Sequence, residues 1–155
     1  MRALAYDRRV TPKDEALILE LVRTLAAERA RVFGAFTSGD RVAQWWGPDG
    51  FTIPGIEFDP EVGGSYRIHM QPPEGDSFAL TGEFRAVEPP ERLAFTFVWE
   101  QPDPDDAETL VELSFEDRGH STRVALRQGS FRTEARRRLH REGWGQALDK
   151  LAAWL

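Results

Sequence analysis

The feature that most constrains the fold of this chain is a series of segments in which apolar and polar residues alternate. Such alternation places apolar side chains on one face of a β-strand and polar side chains on the other. The apolar sets with this spacing are Leu17, Leu19 and Leu21; Tyr66, Ile68 and Met70; Phe78, Leu80, Gly82 and Phe84; Leu93, Phe95, Phe97 and Trp99; Val111, Leu113 and Phe115; and Val124 and Leu126. The pattern predicts an antiparallel sheet with one apolar face.

Turn-forming segments separate these sets, namely PEVGG, QPPEGD, EPPER, QPDPDDAE and EDRGH. Pro, Gly, Asn and Asp favour tight turns for distinct conformational reasons, so each segment is expected to connect neighbouring strands. Gly63 and Gly64 precede the Tyr66 strand, where they predict a bulge or a turn with positive φ. Consecutive strands should therefore pair as a meander.

Two other parts of the chain have helical spacing. Between the first strand and Phe51, the segment TSGD divides two short apolar patterns, which predicts two short helices. Residues Thr133 to Leu155 carry an apolar stripe at Trp144, Leu148, Leu151 and Leu155. A helix of this length extends about 35 Å and can cover the apolar face of a sheet. The element order predicts an α+β fold.

Length and composition limit the remaining possibilities. The chain has 155 residues, a formal net charge of -6 and no cysteine, which fits one domain over residues 16–155 after an N-terminal extension, residues 1–15. No disulfide or cysteine zinc site can form, so we expect a cytoplasmic protein. No apolar stretch is long enough to span a membrane, and the acidic composition argues against nucleic-acid binding.

Four blocks carry a resemblance to a known family: ARVFGAFTSGDRVAQWWGPDGFT, FDPEVGGSYRI, GEFRAVEPPERLAFTFVW and HREGWGQALDKLAAWL. Together they resemble the SRPBCC superfamily, which includes START lipid-transfer domains and birch-pollen-allergen-like proteins. Within it, the chain is similar to the branch named after the activator of the heat-shock chaperone ATPase. The resemblance implies a helix-grip fold, in which a curved antiparallel sheet of six or seven strands wraps around a long C-terminal helix, with two short helices after the first strand.

The resemblance also implies a cavity between the sheet and the terminal helix that binds a small apolar or amphipathic molecule. The residues that the sequence nominates for this cavity are apolar or aromatic residues on inward faces, together with one histidine: Trp45, Trp46, Phe51, Tyr66, Ile68, Phe84, Phe97, Trp99, His140, Trp144 and Leu148. For the two adjacent tryptophans, two possibilities stay open: one ring in the core and the other on the surface, or one of them in the wall at the mouth of the cavity.

Gly143 and Gly145 flank Trp144 inside the predicted terminal helix, where glycine is unfavourable. They are explained either by close approach of the helix to the sheet or by space for a ligand, and we expect close packing. His140 lies one turn before Trp144 and is expected to be a buried histidine rather than a catalytic base.

No motif indicates catalysis, a metal or a cofactor, since HExxH, GxSxG and phosphate-binding glycine loops are all missing from the sequence. The acidic segment 101–108 is expected to stay solvated or to pair loosely with an arginine-rich surface. That surface is the start of the terminal helix, with Arg132, Arg136, Arg137, Arg138 and Arg141.

Three hypotheses for function follow. The first is a small-molecule-binding protein, with Tyr66, Trp99 and His140 as orienting polar contacts. The second is a stress or chaperone-related interaction module that uses the arginine-rich helix and the acidic segment. The third is a cyclase or hydrolase of the superfamily type, which lacks a convergent acid–base set here. Dimers occur in the branch, although no exposed apolar stripe in this sequence requires one.

Overall fold

A computed structural model describes residues 17–155. Ten elements follow one another along the chain: β1 (Leu19–Leu25), α1 (Arg29–Phe36), α2 (Gly39–Trp45), β2 (Thr52–Phe58), β3 (Ser65–Gln71), β4 (Phe78–Glu88), β5 (Arg92–Trp99), β6 (Thr109–Asp117), β7 (Thr122–Gly129) and α3 (Glu134–Trp154). The expected N-terminal extension, residues 1–15, lies outside the described residues.

The seven strands form one antiparallel sheet in the order β1-β7-β6-β5-β4-β3-β2. The register aligns the apolar sets from strand to strand, because Leu21 lies opposite Leu126, Leu126 opposite Leu113, and Leu113 opposite Leu93. Side chains in one such row point to the same face. The predicted α+β helix-grip class is therefore confirmed, with the two short helices after β1 and the long helix at the C-terminus.

Gly82 shows why one inward position of β4 carries no side chain. A Cβ at this position would collide with the carbonyl oxygen of Thr96 and with the ring of Tyr66. The Tyr66 ring therefore packs directly on the backbone of β4, and its hydroxyl donates a hydrogen bond of 2.6 Å to the Thr96 carbonyl oxygen. This contact closes the part of the interior that lies under β3 and β4.

The short helices α1 and α2 pack together around Trp45, which fills part of the core. The side chain of Ser38 caps α2 by accepting a bond from the amide of Arg41. At the other end of α2, Trp45 is fully buried. Its indole Nε1 donates to the Ala35 carbonyl oxygen at 3.1 Å, and its ring lies 4.8 Å from that of Phe36. Trp45 thus joins α1 and α2 into one packed unit.

The long helix α3 is fixed to the sheet by a buried polar chain. Trp144 donates from Nε1 to Gln128 Oε1 at 2.8 Å, and Gln128 donates from Nε2 to Thr109 Oγ1 at 2.9 Å. Gln128 is fully buried, so these bonds satisfy a side chain that would otherwise destabilise the core. None of the helices within residues 17–155 is long and apolar enough to cross a membrane.

Candidate functional site

A cavity of about 410 Å³ lies between the sheet and α3. Its walls come from four places: the loop after α2, residues 46–51; the start of β4 with the hairpin before it; the end of β5 with the loop after it; and α3. Small-molecule sites in proteins have volumes of about 300 to 1,000 Å³. The cavity is therefore large enough for a small organic ligand.

Six aromatic rings line the cavity: Trp46, Phe51, Phe78, Phe97, Trp99 and Trp144. Successive ring centroids are 6.0, 5.4 and 5.1 Å apart from Phe51 through Phe78 and Trp99 to Phe97. Each pair meets edge to face, the geometry that the ring quadrupoles favour. These four rings form one connected aromatic surface, and Trp46 and Trp144 form a second pair 5.2 Å apart.

Small residues on α3 keep the space opposite these rings open. Gly143 and Ala147 line the cavity from one side of the helix. A Cβ at Gly143 would lie 3.7 Å from Pro48 and meet nothing closer, which is an ordinary van der Waals distance. The expectation that Gly143 permits close packing of the helix on the sheet is therefore wrong. Its position on the wall fits the other explanation, space for a ligand.

The loop that carries Trp46 is attached to the same helix. Lys150 donates from Nζ to the carbonyl oxygens of Trp46 and Pro48 at 3.3 and 3.1 Å. One turn earlier, Gln146 accepts a bond of 2.9 Å from the amide of Asp49. Burial lowers the pKa of Lys150 from its usual value. These three bonds position the Trp46 wall relative to α3.

His140 lies where α3 faces the end of β5. Its ring centroid is 4.9 Å from that of Phe131 and 5.2 Å from that of Phe97, and Trp99 Nε1 is 3.5 Å from His140 Nε2. Burial, followed by the nearby Arg136 guanidinium, lowers the pKa of His140 to about 4. The imidazole is therefore neutral at pH 7, and accepting from the indole at Nε2 assigns its proton to Nδ1.

Arg136 joins the acidic segment to the first turn of α3. Its Nε lies 3.0 Å from Asp105 and 3.4 Å from Asp106, and a further nitrogen contacts Asp103. The helix cap takes part too, because Thr133 Oγ1 accepts from the Arg136 amide and donates to Asp105 at 2.9 Å. The hydrogen bond from Arg136 is the main cause that lowers the pKa of Asp105.

The acidic segment does pair with the arginine-rich helix start, one of the two expectations, and most of it stays exposed, with the Asp103 side chain 67% exposed. The pairing is tight at its centre, where the Arg136 side chain is 16% exposed and the Asp106 side chain 8%. Both residues, with Asp103, line the cavity. Sequence reasoning noted both charge runs but did not place them at a ligand site.

Six of the eleven residues nominated from the sequence line the cavity: Trp46, Phe51, Phe97, Trp99, His140 and Trp144. The other five do not: Trp45, Tyr66, Ile68, Phe84 and Leu148. Three of these, Tyr66, Ile68 and Phe84, border a gap of about 10 Å³ elsewhere in the interior. Trp45 and Leu148 are buried in the core. Trp45 lies in the core and Trp46 lines the cavity, so of the two possibilities the structure favours a tryptophan in the wall.

Several lining residues were not nominated. They are Gly47, Pro48, Met70, Asp76, Ser77, Phe78, Ala79, Gln101, Asp103, Asp106, Arg136, Leu139, Gly143 and Ala147. Met70 and Phe78 carried a usable signal, since both belong to inward-facing sets. Ala79 lies on β4 outside the alternating set, and the sequence left space for a ligand as one explanation of Gly143. The others lie on loops or on the helix, where strand alternation gives no information. Within residues 17–155, no group of three or more His, Cys, Asp or Glu side chains could hold a metal ion.

Comparison with proteins of known structure gives the fold independently. A protein of Chromobacterium violaceum is 25% identical, with a TM-score of 0.82 over 90% of this chain and 96% of that one. The AHSA1 protein of Silicibacter pomeroyi is 31% identical, with a TM-score of 0.77 over 88% and 95% of the two chains. A protein of Nitrosomonas europaea is 26% identical, with a TM-score of 0.76 over 90% and 94%.

No curated protein matches the chain in sequence. The model of the family described as Activator of Hsp90 ATPase homolog 1-like protein, AHSA1, matches residues 26–155. This match covers every element from α1 to α3 and confirms the branch indicated by the four sequence blocks. The chain belongs to the family of Activator of Hsp90 ATPase homolog 1-like proteins.

Proposed function

We propose that this protein binds a small apolar or amphipathic molecule in the cavity between the sheet and α3. The observation that carries the proposal is a difference in empty volume between two parts of the interior. The cavity measures about 410 Å³, whereas the gap beside Tyr66 measures about 10 Å³. Removing apolar surface from water stabilises a complex by about 25 cal/mol per Å². An aromatic wall of connected rings offers such burial without refolding of the protein.

One polar group beside the aromatic wall is suited to orient a ligand. Trp99 Nε1 donates to His140 Nε2, so the donor that this pair leaves for a ligand is the Nδ1–H of the neutral His140. Tyr66, another orienting group expected from the sequence, donates its hydroxyl to Thr96 and does not line the cavity. Burial raises the pKa of Tyr66 well above its usual value. His140, held in place by Trp99, is therefore the proposed orienting group.

A neutral apolar fluorescent probe tests this function. The wild-type protein should bind it saturably, and Gly143→Leu should weaken binding about tenfold or more, because the added side chain enters the cavity from α3. The matched control is Gly145→Leu, two residues along the same helix, where a Cβ faces Arg23 at 3.4 Å outside the cavity. Equal affinity in both variants, with both folded, would overturn the proposal.

The identity of the natural ligand is a separate measurement. Native mass spectrometry of protein purified from its own host would reveal a bound small molecule as a discrete added mass. A stoichiometric protein partner would instead support the second hypothesis. Cytoplasmic location and a homodimeric state remain predictions that the same experiment can address through host fractionation and complex mass.

The family name supports a chaperone-related role as the second candidate. Its proposed surface, the arginine-rich start of α3, is largely engaged within the chain. Arg136 binds the acidic segment, Arg137 bonds to Glu134, and Arg141 donates to the Glu20 carbonyl oxygen. Because these arginines already have partners within the chain, we prefer ligand binding in the cavity to binding of a protein partner at this surface. The third hypothesis, a cyclase or hydrolase, has no acid–base pair among the cavity residues to support it.

A further inference from the structure

The charges around the cavity are unbalanced. Among residues 17–155, the charged residues that line it are three aspartates, Asp76, Asp103 and Asp106, and one arginine, Arg136. Asp76 and Asp103 are exposed at the edge of the cavity, so they act on a ligand through a solvent-screened field that is stronger beside the low-dielectric aromatic wall than in open solvent. The cavity thus discriminates between ligands by their charge.

Arg136 is not available to an anionic ligand. Its guanidinium already contacts Asp103, Asp105 and Asp106. A ligand carboxylate would have to displace one of these groups and would then lie beside the other two. His140 supplies no positive charge at neutral pH, since burial keeps its imidazole neutral. An anionic ligand is therefore disfavoured by its surroundings.

Asp76 differs from the other carboxylates of the cavity. It is exposed in the hairpin between β3 and β4, and no side chain within residues 17–155 bonds to it. The register places it near the aromatic wall, because Leu80 pairs with Trp99 and the Glu100 amide donates to the Ala79 carbonyl oxygen at 3.0 Å. Asp76 is thus a carboxylate that has no side-chain partner in the described part of the chain and lies at the edge of an aromatic cavity.

Resting on the function proposed above, we propose that the ligand class of this cavity is a hydrophobic amine. Its apolar body lies against the aromatic wall, and its protonated nitrogen lies at the edge of the cavity against Asp76. Cations are also attracted to the faces of aromatic rings within about 6 Å, and the rings of Phe78 and Trp99 line the same cavity as Asp76. A neutral ligand binds by burial alone, and an anionic one is repelled.

Three probes with the same apolar body test the charge preference: 4-phenylbutylamine, 4-phenylbutanol and 4-phenylbutyrate. Each is measured by displacement of the neutral fluorescent probe at pH 7 and low salt. We expect the amine to bind tightest and the carboxylate weakest, with about threefold or more between neighbours in the series. Raised salt should narrow these differences without changing the affinity of the alcohol.

The variant Asp76→Asn tests whether the Asp76 carboxylate causes the preference for the amine. This variant should weaken the amine about threefold and leave the alcohol unchanged. The control is Glu61→Gln, which removes the same charge from an exposed position in the turn between β2 and β3. That turn lies at the opposite end of β3, on the order of 20 Å away, so the control should bind all three probes as the wild type does.

The outcomes separate this inference from the function on which it rests. If the alcohol binds and the amine binds no better, the amine class is overturned while ligand binding stands. A loss of amine affinity in Glu61→Gln equal to that in Asp76→Asn would likewise overturn the role of Asp76, because it would show a general effect of net charge. If none of the three displaces the fluorescent probe and the probe itself does not bind, both proposals fail.

Discussion

The interior of this protein has two halves that are built from the same strands and filled to different degrees. The closed half contains Phe36, Phe58, Tyr66, Phe84 and Phe95, which border a gap of about 10 Å³. The open half is the cavity of about 410 Å³. Strands β4 and β5 present inward rings to both halves, so the sheet alone does not explain the difference.

The elements opposite the sheet explain it. In the closed half, α1 and α2 present large side chains, and the Phe36 ring lies 4.8 Å from Trp45 and 5.3 Å from Phe115. In the open half, α3 presents two small residues, Gly143 and Ala147, beside larger ones such as His140 and Trp144. The comparison indicates that the small residues on the helix contribute to the cavity, since the sheet carries rings in both halves.

The largest expected effect comes from removing a ring from the closed half. Phe84 is 1% exposed, and its ring centroid lies 5.3 Å from Phe58 and 5.6 Å from Tyr66. Phe84→Ala should lower the free energy of unfolding by about 3 to 5 kcal/mol, because a close-packed site cannot collapse around the void. Urea denaturation measures this loss.

Phe78→Ala is the matched change in the open half. Phe78 is only half-buried and already borders the cavity, so its removal enlarges an existing space and should cost less than about 2 kcal/mol. Equal losses in the two variants would show that the halves do not differ in packing.

The sequence predicted which face of the sheet points inward. It did not predict which helix packs against each part of that face. Phe84 and Phe97 belong to equivalent alternating patterns, and both are buried. Only Phe97 lines the cavity, where α3 rather than α1 supplies the facing residues, among them His140 with its ring centroid 5.2 Å from that of Phe97. That pairing depends on how helices distant in sequence dock, which strand periodicity does not encode.

The same reason applies to Arg136. The acidic segment and the arginine-rich helix start are both visible as charge runs in the sequence. Their contact spans 31 residues between Arg136 and Asp105 and requires the β6–β7 hairpin to return the chain to the same end of the sheet. Sequence reasoning could therefore name the two charged segments but not select the one arginine that joins them.

The second prediction concerns the histidine of the open half. The pKa of His140 is about 4 in the folded protein against 6.5 for the free side chain. Above pH 6.5 both states are neutral, and His140 has no effect on the pH dependence. As pH falls from 6.5 to about 4, the unfolded state gains a proton first, so stability falls by up to about 3 kcal/mol.

Denaturation as a function of pH checks this prediction. His140→Leu should flatten the loss of stability between pH 6.5 and 4, while His120→Gln, at an exposed position between β6 and β7, should retain it. Carboxylates contribute to acid denaturation in every variant, so the difference between variants isolates His140. An unchanged slope in His140→Leu would mean that the imidazole is not kept neutral by its surroundings.

The third prediction concerns the edge of the open half. Arg136→Gln removes the guanidinium that neutralises Asp106, whose side chain is 8% exposed. We expect a loss of about 1 to 2 kcal/mol, because a poorly solvated carboxylate is left with fewer partners. The control is Arg85→Gln, which breaks an exposed pair with Glu83 and should cost less than about 0.5 kcal/mol. If Arg136→Gln lowers the free energy of unfolding as little as the control does, the pairing of Arg136 with the acidic segment contributes no more than an exposed ion pair.

The smallest effect should be a gain in stability at the wall of the cavity itself. Gly143→Ala adds a methyl group that meets only Pro48 at 3.7 Å, and alanine is more favourable than glycine inside a helix by about 0.5 to 1 kcal/mol. Gly145→Ala, which faces the flexible Arg23 side chain at 3.4 Å, should gain a similar amount. Thermal denaturation of the two variants compares their stabilities directly.

If Gly143→Ala is stabilised but its affinity for the neutral fluorescent probe falls, glycine at this position favours an open cavity over a more stable helix. A destabilised Gly143→Ala beside a stabilised Gly145→Ala would mean that the helix packs on the loop at Pro48 too closely for a methyl group, and the open half would then owe its volume to Ala147 and the loops rather than to Gly143.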